Sequence, residues 1–175
     1  MQIVREKVYP ERKLNPDKQR RDIWWRFTRP RVELFEILRP LSKVLVKTRV
    51  ADKFAFVFVP YGYVYSDRLT VFAFEKATEF AILQSGIHEW WSRFFGSTFK
   101  MDLLYSPSDC FETFPFPQSP ITNNQLLYSI GEQYNEYRKQ IMLARQEGLT
   151  KTYNRFHEAK ETNDDIIRLR ALHVE

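Results

Sequence analysis

The sequence predicts an α+β fold, in which a small mixed β-sheet packs on a long aromatic-rich helix and is followed by a C-terminal helical segment. Short β-branched and apolar runs between residues 43 and 74 have the length and composition of strands. Apolar residues at helical spacing fill residues 75–95, and polar helical patterns follow residue 122. Hydrophobic residues make up 43% of the 175 residues and aromatic residues 16%, so the chain can bury a sizeable core.

The first 22 residues are dominated by charge. Pro10, Pro16 and the run Lys18-Gln19-Arg20-Arg21 predict an extended lead-in outside the core. A short helix is predicted over Val32–Leu38, where apolar residues fall at helical spacing before Arg39-Pro40. We therefore expect three parts: a charged lead-in (1–22), an α+β domain (23–117) and a C-terminal helical segment (118–175).

Four strands are predicted in the α+β domain. Val44–Thr48 is short and β-branched. Phe54–Val59 is apolar on both faces, which predicts a central strand covered on both sides. Leu69–Phe74 is the third strand, and Met101–Tyr105 is a shorter fourth one.

Three helices are predicted in the rest of the chain. Glu75–Phe95 follows the 3.6-residue period and ends at Gly96. Residues 122–147 form a second helix, with capping residues at 122–125 and Gly148 as its end. In the last helix, 163–175, apolar residues form one stripe made of Ile166, Leu169 and Leu172. This pattern reaches the final residue without a stop signal, which predicts that the chain is cut from something longer.

The sequence lacks the motifs of an enzyme. Its five glycines never form a Gly-x-Gly loop, and its one Asn-Pro pair, Asn15-Pro16, is not an Asn-Pro-Pro-Tyr motif. The three histidines, His88, His157 and His173, are far apart and have no metal-ligand spacing. We expect His88 to be partly buried and bonded to a neighbour, and Cys110 to be a packed thiol.

Charge and cysteine content favour a polyanionic partner and a reducing compartment. Lys and Arg number 27 against 22 Asp and Glu, so the formal charge is +5. A single cysteine excludes an internal disulfide and predicts a cytoplasmic protein. No apolar run approaches the roughly 20 residues that span a bilayer, so we expect no membrane partner.

Basic, hydroxyl and tyrosine side chains at strand ends and turns are the candidates for DNA contact. Such groups donate to base edges and phosphates or stack on bases. For each residue a solvated surface charge is the alternative, and for Tyr63 it is core packing. A basic β-rich face could also bind RNA or a protein. The candidates are Lys43, Lys47, Arg49, Lys53, Tyr63, Ser66, Arg68, Arg93 and Lys100.

An ordered set of motifs from Trp24 onward resembles the C-terminal target-recognition part of large DNA methyltransferases of restriction-modification and phage-defence systems. The likeness is to the MmeI-like and type IIG group. The most specific motifs are Tyr105-Ser106-Pro107 and Phe111–Pro117 (Phe-Glu-Thr-Phe-Pro-Phe-Pro). The family's Ala-Tyr-Gly-Trp-like ending is absent. The other matching segments are Trp24-Trp25, Arg29-Pro30-Arg31, Leu41–Val44, Phe54–Pro60, Leu69–Phe74, Leu83–Ser85, His88–Trp90, Phe94–Ser97, Leu149–His157 and Leu169–His173.

The resemblance implies that this chain recognises a sequence in double-stranded DNA and is the excised C-terminal piece of a larger enzyme. Residues 23–117 would be the target-recognition domain. The parent would transfer a methyl group from S-adenosylmethionine to N6 of adenine, with the cofactor and the catalysis in a separate methyltransferase domain. Some relatives also carry a nuclease domain. Two alternatives remain open: a protein-interaction or scaffold domain that docks a partner subunit, and a free-standing RNA-binding protein.

The run Phe111–Pro117 is chemically unsuited to reading bases, although it carries much of the resemblance. Its aromatic rings and prolines suit a rigid, buried strut that joins the sheet to the C-terminal helices. We therefore expect the DNA contacts in the basic turns between Lys43 and Lys100, and a structural role for this run.

Overall fold

The computed structural model describes residues 2–26, 31–117 and 124–174. The chain divides into two compact units, residues 1–40 and residues 41–175. This division falls at a different place from the boundaries expected after residues 22 and 117, and those boundaries stay predictions. We call the two parts unit 1 and unit 2 and describe them separately.

Unit 1 is built from short helices. They are α1 (Gln2–Lys7), α2 (Tyr9–Lys13), α3 (Lys18–Asp22) and α4 (Val32–Leu38), and α1 to α3 contain no buried residue. The expected α4 is confirmed, but the prediction of an extended lead-in is wrong. The Asp17 side chain accepts hydrogen bonds from the backbone N–H groups of Gln19 and Arg20 and so caps α3. Pro10 lies in the first turn of α2, where a proline costs no helix hydrogen bond.

Aromatic side chains join the segments of unit 1. The ring centroids of Tyr9 and Trp24 are 5.0 Å apart, and those of Trp24 and Trp25 are 5.8 Å apart, both edge to face. The Arg12 side chain also reaches the backbone carbonyl of Arg26 at 3.5 Å. These contacts hold α2 to residues 24–26, while the charged side chains remain at the surface.

Unit 2 contains two small antiparallel sheets. Its strands are β1 (Lys43–Thr48), β2 (Val50–Ala51), β3 (Phe56–Pro60), β4 (Leu69–Phe72), β5 (Ser97–Phe99) and β6 (Asp102–Leu104). The first sheet has the order β3-β1-β4 and the second the order β2-β6-β5. The α+β class is confirmed. The expected single mixed sheet is not what forms, because every strand pair in the described residues is antiparallel.

The strand order corrects one further prediction. β3 was expected to be central, but it lies at the edge of the first sheet, and β1 is the central strand. An apolar run shows that both faces of a strand have some cover, and it does not show which strands lie beside it. In β3, Phe56 is buried whereas Val57–Val59 are only partly buried.

The expected long helix is two helices, α5 (Ala77–Gln84) and α6 (Gly86–Phe95). Ser85 interrupts the helix with φ −63° and ψ 154°, and its hydroxyl accepts a hydrogen bond from the backbone N–H of His88. Serine at this position is a typical N-cap and begins a new helix in a different direction. Gly96 ends α6 as expected.

The C-terminal part of unit 2 contains α7 (Gln125–Arg145), α8 (Leu149–His157) and α9 (Asp164–Val174). Asn124 caps α7 by accepting a hydrogen bond from the backbone N–H of Leu127, while the other expected capping residues, 122 and 123, lie outside the described residues. Gln146, with φ 51°, ends α7. Gly148 was expected to end this helix but is instead the N-cap of α8.

The core of unit 2 lies between the first sheet and the helices α5, α7 and α9. Phe56 and Phe72 from the sheet, Phe80 from α5 and Tyr134 from α7 belong to one buried cluster. The expected stripe of α9, formed by Ile166, Leu169 and Leu172, is buried in the same cluster. α5 and α7 cross closely at Gly131, where an added Cβ would lie 2.1 Å from the carbonyl oxygen of Ala77.

The run Phe111–Pro117 packs into this core. Residues Pro107–Phe111 form a π-helical turn. Phe114 is buried, with its ring centroid 4.7 Å from that of His88, and Phe111 and Phe116 pack against the cluster. These contacts agree with the structural role expected for this run. The residues that follow it, 118–123, lie outside the described residues.

Candidate nucleic-acid interface

An eight-residue connection, residues 61–68, carries several of the candidate DNA contacts. β3 and β4 both run antiparallel to β1, so they are parallel to each other on its two sides. The connection therefore runs from the C-terminal end of β3 back to the opposite end of the first sheet, where β4 begins. Its backbone turns at Gly62, which has φ 109°. Tyr63 is 60% exposed and Val64 70% exposed, so the connection presents large side chains to solvent.

Arg49 and Arg68 are brought together at the end of this connection. The backbone N–H of Arg49 donates to the carbonyl of Arg68 at 2.8 Å, and the carbonyl of Arg49 accepts from the N–H of Tyr105. Arg49 thus links the first sheet to the second, with its backbone held on both sides. Both side chains are exposed, and neither has an ion pair among the described residues. Two free guanidinium groups therefore project from neighbouring, fixed points.

Ser66 and its neighbours shape the turn that ends in Arg68. The Ser66 hydroxyl accepts a hydrogen bond from the backbone N–H of Arg68 at 3.2 Å, and its carbonyl accepts one from Leu69. Ser66 Oγ also lies 3.3 Å from a carboxylate oxygen of Asp67. Ser66 is exposed, so it both fixes the turn and remains within reach of a ligand.

Three of the remaining candidates have side chains held by other residues, and the fourth lies on a separate hairpin. Lys43 is half-buried, with its ammonium 4.3 Å from the ring centroid of Phe58. Lys53 pairs with Asp52 at 2.8 Å, and Arg93 pairs with Glu89 at 2.8 Å and also reaches the carbonyl of Asp52. Lys100 is exposed at the tip of the hairpin between β5 and β6, with φ 59°. These four residues stay predictions as DNA contacts.

Lys47 does not belong to the interface, and its selection as a DNA contact is corrected. Its side chain is on the same face of β1 as Leu45 and is only 2% exposed. The ammonium lies 4.5 Å from the ring centroid of Phe54 and 5.3 Å from that of Tyr105. Burial lowers the pKa of Lys47 to about 8, against the opposing effect of Glu89. The aromatic rings stabilise this buried cation.

The buried His88 of unit 2 has structural partners. His88 is fully buried, and its Nδ1 lies 2.8 Å from the carbonyl oxygen of Leu83. A carbonyl can only accept, so Nδ1 carries a proton. Nε2 lies 3.3 Å from both the carbonyl oxygen of Cys110 and the hydroxyl of Tyr105, and in the neutral ring it accepts from the Tyr105 hydroxyl. Burial lowers the pKa of His88, which favours this neutral form. The structural role expected for His88 is confirmed.

Metal and membrane signals are absent from the described ranges. No group of three or more His, Cys, Asp or Glu side chains there could hold a metal ion. None of the helices in these ranges combines the length and the apolar character that a membrane span needs. Cys110 is buried, as expected, with its sulfur 3.8 Å from the carbonyl of Ser92.

An apolar stripe on α6 was not anticipated from the sequence. Ile87, Trp90 and Phe94 are 74%, 77% and 81% exposed and follow one another at three- and four-residue spacing. Ile87 and Trp90 line a groove of about 600 Å³, together with largely apolar residues of α5, α7 and the C-terminal turn of α9. The i, i+3, i+7 spacing could have revealed the stripe, but the same spacing is also expected of a core-facing helix.

Comparisons with known proteins point to one family. Residues 51–118 match the family model "MmeI, target recognition domain". Among solved structures, the chain is similar to one described as the structure of the type IIL restriction-modification enzyme MmeI in complex with DNA, with a TM-score of 0.60 and 17% sequence identity. That likeness covers 96% of this chain and 22% of that chain. No match was found among the curated proteins.

Together, the family match and the fold support a target recognition domain, a class of module that is not itself catalytic. More particularly, they support an MmeI-like target recognition domain, as the motifs from Trp24 onward led us to expect. The chain spans only 22% of the length of the MmeI chain that it resembles, and at 17% identity that likeness shows the fold alone.

Proposed function

We propose that this chain recognises a specific sequence in double-stranded DNA, as the target recognition domain of an N6-adenine methyltransferase of a restriction-modification or phage-defence system. In this proposal it acts in the cytoplasm, and the methyltransferase domain of the same parent chain binds S-adenosylmethionine and carries out catalysis. The observation that carries the proposal is the match of residues 51–118 to an MmeI target recognition domain. In this proposal the surface around Arg49 and Arg68 supplies the hydrogen-bond donors that contact the DNA.

The geometry of this surface suits base reading. An arginine can donate two hydrogen bonds to O6 and N7 of guanine in the major groove, and such a pair discriminates best when it is held rigidly. The backbone of Arg49 is bonded on both sides, and Arg68 follows a turn closed by Ser66. Tyr63, Ser66 and Lys100 are exposed and can contact phosphates or neighbouring bases.

The test is a selection of bound duplexes from a random DNA pool, followed by titration of the selected and random sequences. We expect the chain to prefer the selected duplex. The variant Arg49→Ala/Arg68→Ala should lose much of that preference, because each good arginine–guanine pair contributes about 1–3 kcal/mol of discrimination. The matched control, Lys139→Ala/Arg168→Ala, removes two exposed charges from α7 and α9 and should keep the preference.

The outcomes separate three cases. Equal loss of affinity for all sequences in the Arg49/Arg68 variant would make these residues phosphate contacts. If that variant kept its sequence preference, residues other than Arg49 and Arg68 would have to read the bases. The absence of any salt-dependent binding to duplex DNA by the unsubstituted chain would contradict the proposed function. For the parent enzyme, the check is whether the in-frame upstream sequence encodes Asn-Pro-Pro-Tyr and a glycine-rich cofactor loop.

A second candidate function, docking of a protein partner, is favoured by the apolar stripe of α6. Three large side chains that are 74–81% exposed form a continuous apolar surface, which is unusual for a surface facing only water. The partner we infer is the methyltransferase domain of the parent. In a full-length parent, amide hydrogen exchange in α6 should then be slower than in this chain. Unchanged exchange, together with an unaffected assembly of a Trp90→Glu parent, would contradict docking at this stripe.

A further inference from the structure

The net positive charge of this protein comes entirely from unit 1. Residues 1–40 contain 11 Lys and Arg against 6 Asp and Glu, a formal charge of +5. Residues 41–175 contain 16 of each and sum to zero. The segment 51–118, which matches the recognition domain, has 5 basic and 8 acidic residues and a formal charge of −3. The basic excess that favours a polyanionic partner therefore lies outside the family match.

Several basic side chains in the described part of unit 1 are free to bind a partner. α1, α2 and α3 bury no residue, so their charges lie at the surface. Within the described part of unit 1, the ion pairs join Arg20 to Asp17 at 3.4 Å and Arg39 to Glu36 at 3.7 Å. The remaining charges include four exposed side chains that have no ion pair there, namely Arg5, Lys7, Lys18 and Arg26.

Sequence-independent affinity for DNA comes from such uncompensated cations, because each phosphate they neutralise releases counterions. A neutral unit 2 with an acidic recognition segment gains little from this effect. Because the net positive charge lies in unit 1, we propose that unit 1 is a second DNA-contacting element, which binds the phosphate backbone without reading sequence. The choice of DNA as the polyanion rests on the proposed function, while the site itself is separate from the surface around Arg49 and Arg68.

The geometry of unit 1 favours a backbone contact over a lipid surface. α1 to α3 have only five or six residues each, so they cannot present the long apolar face with which an amphipathic helix enters a membrane. Trp25 is 49% exposed next to Arg26 and can pack on a sugar or a base without selecting one. Basic groups interspersed with an aromatic ring are typical of surfaces that follow a phosphate chain.

The experiment compares two charge-matched variants of the full chain. The first is Arg5→Gln/Lys7→Gln/Lys18→Gln/Arg26→Gln in unit 1. The second is Lys76→Gln/Lys151→Gln/Lys160→Gln/Arg168→Gln, which removes four exposed charges from unit 2. Both lower the formal charge from +5 to +1. Affinity for a random-sequence duplex is measured between 50 and 200 mM salt, and circular dichroism checks that each variant keeps its helix content.

We expect the unit 1 variant to bind random duplex at least about tenfold more weakly. Its log–log salt slope should fall by up to roughly 3.6, which is about 0.9 for each phosphate that is no longer neutralised. Its preference for a selected over a random sequence should be unchanged. The unit 2 variant should keep most of the slope.

Three results would overturn the inference. Equal losses in the two variants would mean that only net charge matters, and an unchanged slope in the unit 1 variant would exclude unit 1 as a contact. Tighter binding of the unsubstituted chain to polyglutamate or to phosphatidylserine vesicles than to duplex DNA would assign unit 1 to an acidic protein or a membrane. In the first two cases retained sequence preference leaves the proposed function intact, whereas absence of all DNA binding contradicts the proposed function itself.

Discussion

Unit 1 and unit 2 use positive charge in opposite ways. Unit 1 keeps its cations at the surface of short helices with little core. Unit 2 places two cations inside its core: Lys47 is 2% exposed and Arg138 is 3% exposed. A count of basic residues over the whole chain therefore overstates what the recognition domain offers to DNA. The position of each charge relative to the core decides whether it can bind a polyanion.

Arg138 illustrates the structural use of a cation in unit 2. Its guanidinium donates to the Tyr153 hydroxyl at 3.0 Å and to Asn135 at 3.2 Å, and it lies 5.2 Å from the ring centroid of Phe80. It has no carboxylate partner among the described residues. Neutral acceptors and aromatic faces surround Arg138, and aromatic faces surround Lys47, so both cations serve the core.

The largest expected effect is a loss of stability, and it tests whether unit 2 has a buried core that unit 1 lacks. Phe80→Ala removes a buried ring that contacts Phe58 of the sheet and Tyr134 of α7, and should lower the free energy of unfolding by about 3–5 kcal/mol. The control in unit 1, Leu14→Ala, changes a side chain that is 82% exposed and should cost no more than about 0.5 kcal/mol. Urea titration measures both. Similar losses for the two variants would contradict the contrast.

The next effect concerns the buried cation and has a defined pH window. The pKa of Lys47 is about 8 in the folded protein and 10.5 as an unperturbed group. Below pH 8 both states bind the proton, so the folded protein bears the full cost of burying the charge. Between about pH 8 and 10.5 the unfolded state binds more protons, so stability rises with pH. Over this window the stability of the natural chain should rise relative to Lys47→Met by about 3 kcal/mol.

The measurement is the free energy of unfolding of the natural chain and of Lys47→Met at several pH values. Burial raises the pKa of Tyr134, which titrates in both chains, so its contribution cancels in the difference. A difference that does not change between pH 7 and pH 10.5 would mean that Lys47 is not a buried cation.

The smallest effect compares one helix cap from each unit. Asn124→Ala removes the cap of the 21-residue α7 and should cost about 1 kcal/mol of global stability, while Asn124→Asp keeps an acceptor and should recover most of it. Asp17→Ala removes the cap of the five-residue α3. That change should speed amide hydrogen exchange at Gln19 and Arg20 without lowering global stability. A global loss from Asp17→Ala would show that the two units unfold together.

Local patterns predicted the elements well and their arrangement poorly. α4 and α9 were found because their apolar spacing is regular, and β1 was found because its run is short and β-branched. The apolar spacing also ran through Ser85 into α6, although Ile87 and Phe94 face solvent. The spacing of apolar residues shows that a helix has an apolar face, but it does not show whether that face is buried in the core or exposed to solvent. Sheet order was missed for a related reason, since it depends on pairing between distant segments.

The candidate interface was predicted only in part for the same physical reason. Arg49 and Arg68 are exposed as expected, but their backbone contact joins residues 19 positions apart and follows from strand register. Lys47 was chosen as one of the basic groups that concentrate at strand ends and turns between residues 43 and 100. Its alternation with Leu45 on β1 was a signal that it faces inward, and aromatic residues at distant positions make that burial tolerable.

The close crossing at Gly131 has a consequence for exchanging segments between target recognition domains. The family match ends at residue 118, yet α7 touches α5 so tightly that even a methyl group at Gly131 would overlap the Ala77 carbonyl. A graft limited to residues 51–118 would place Ala77 against whatever helix the recipient provides. The transplantable module is therefore longer than the matched segment. It needs either its own α7 or a recipient helix with glycine at the crossing.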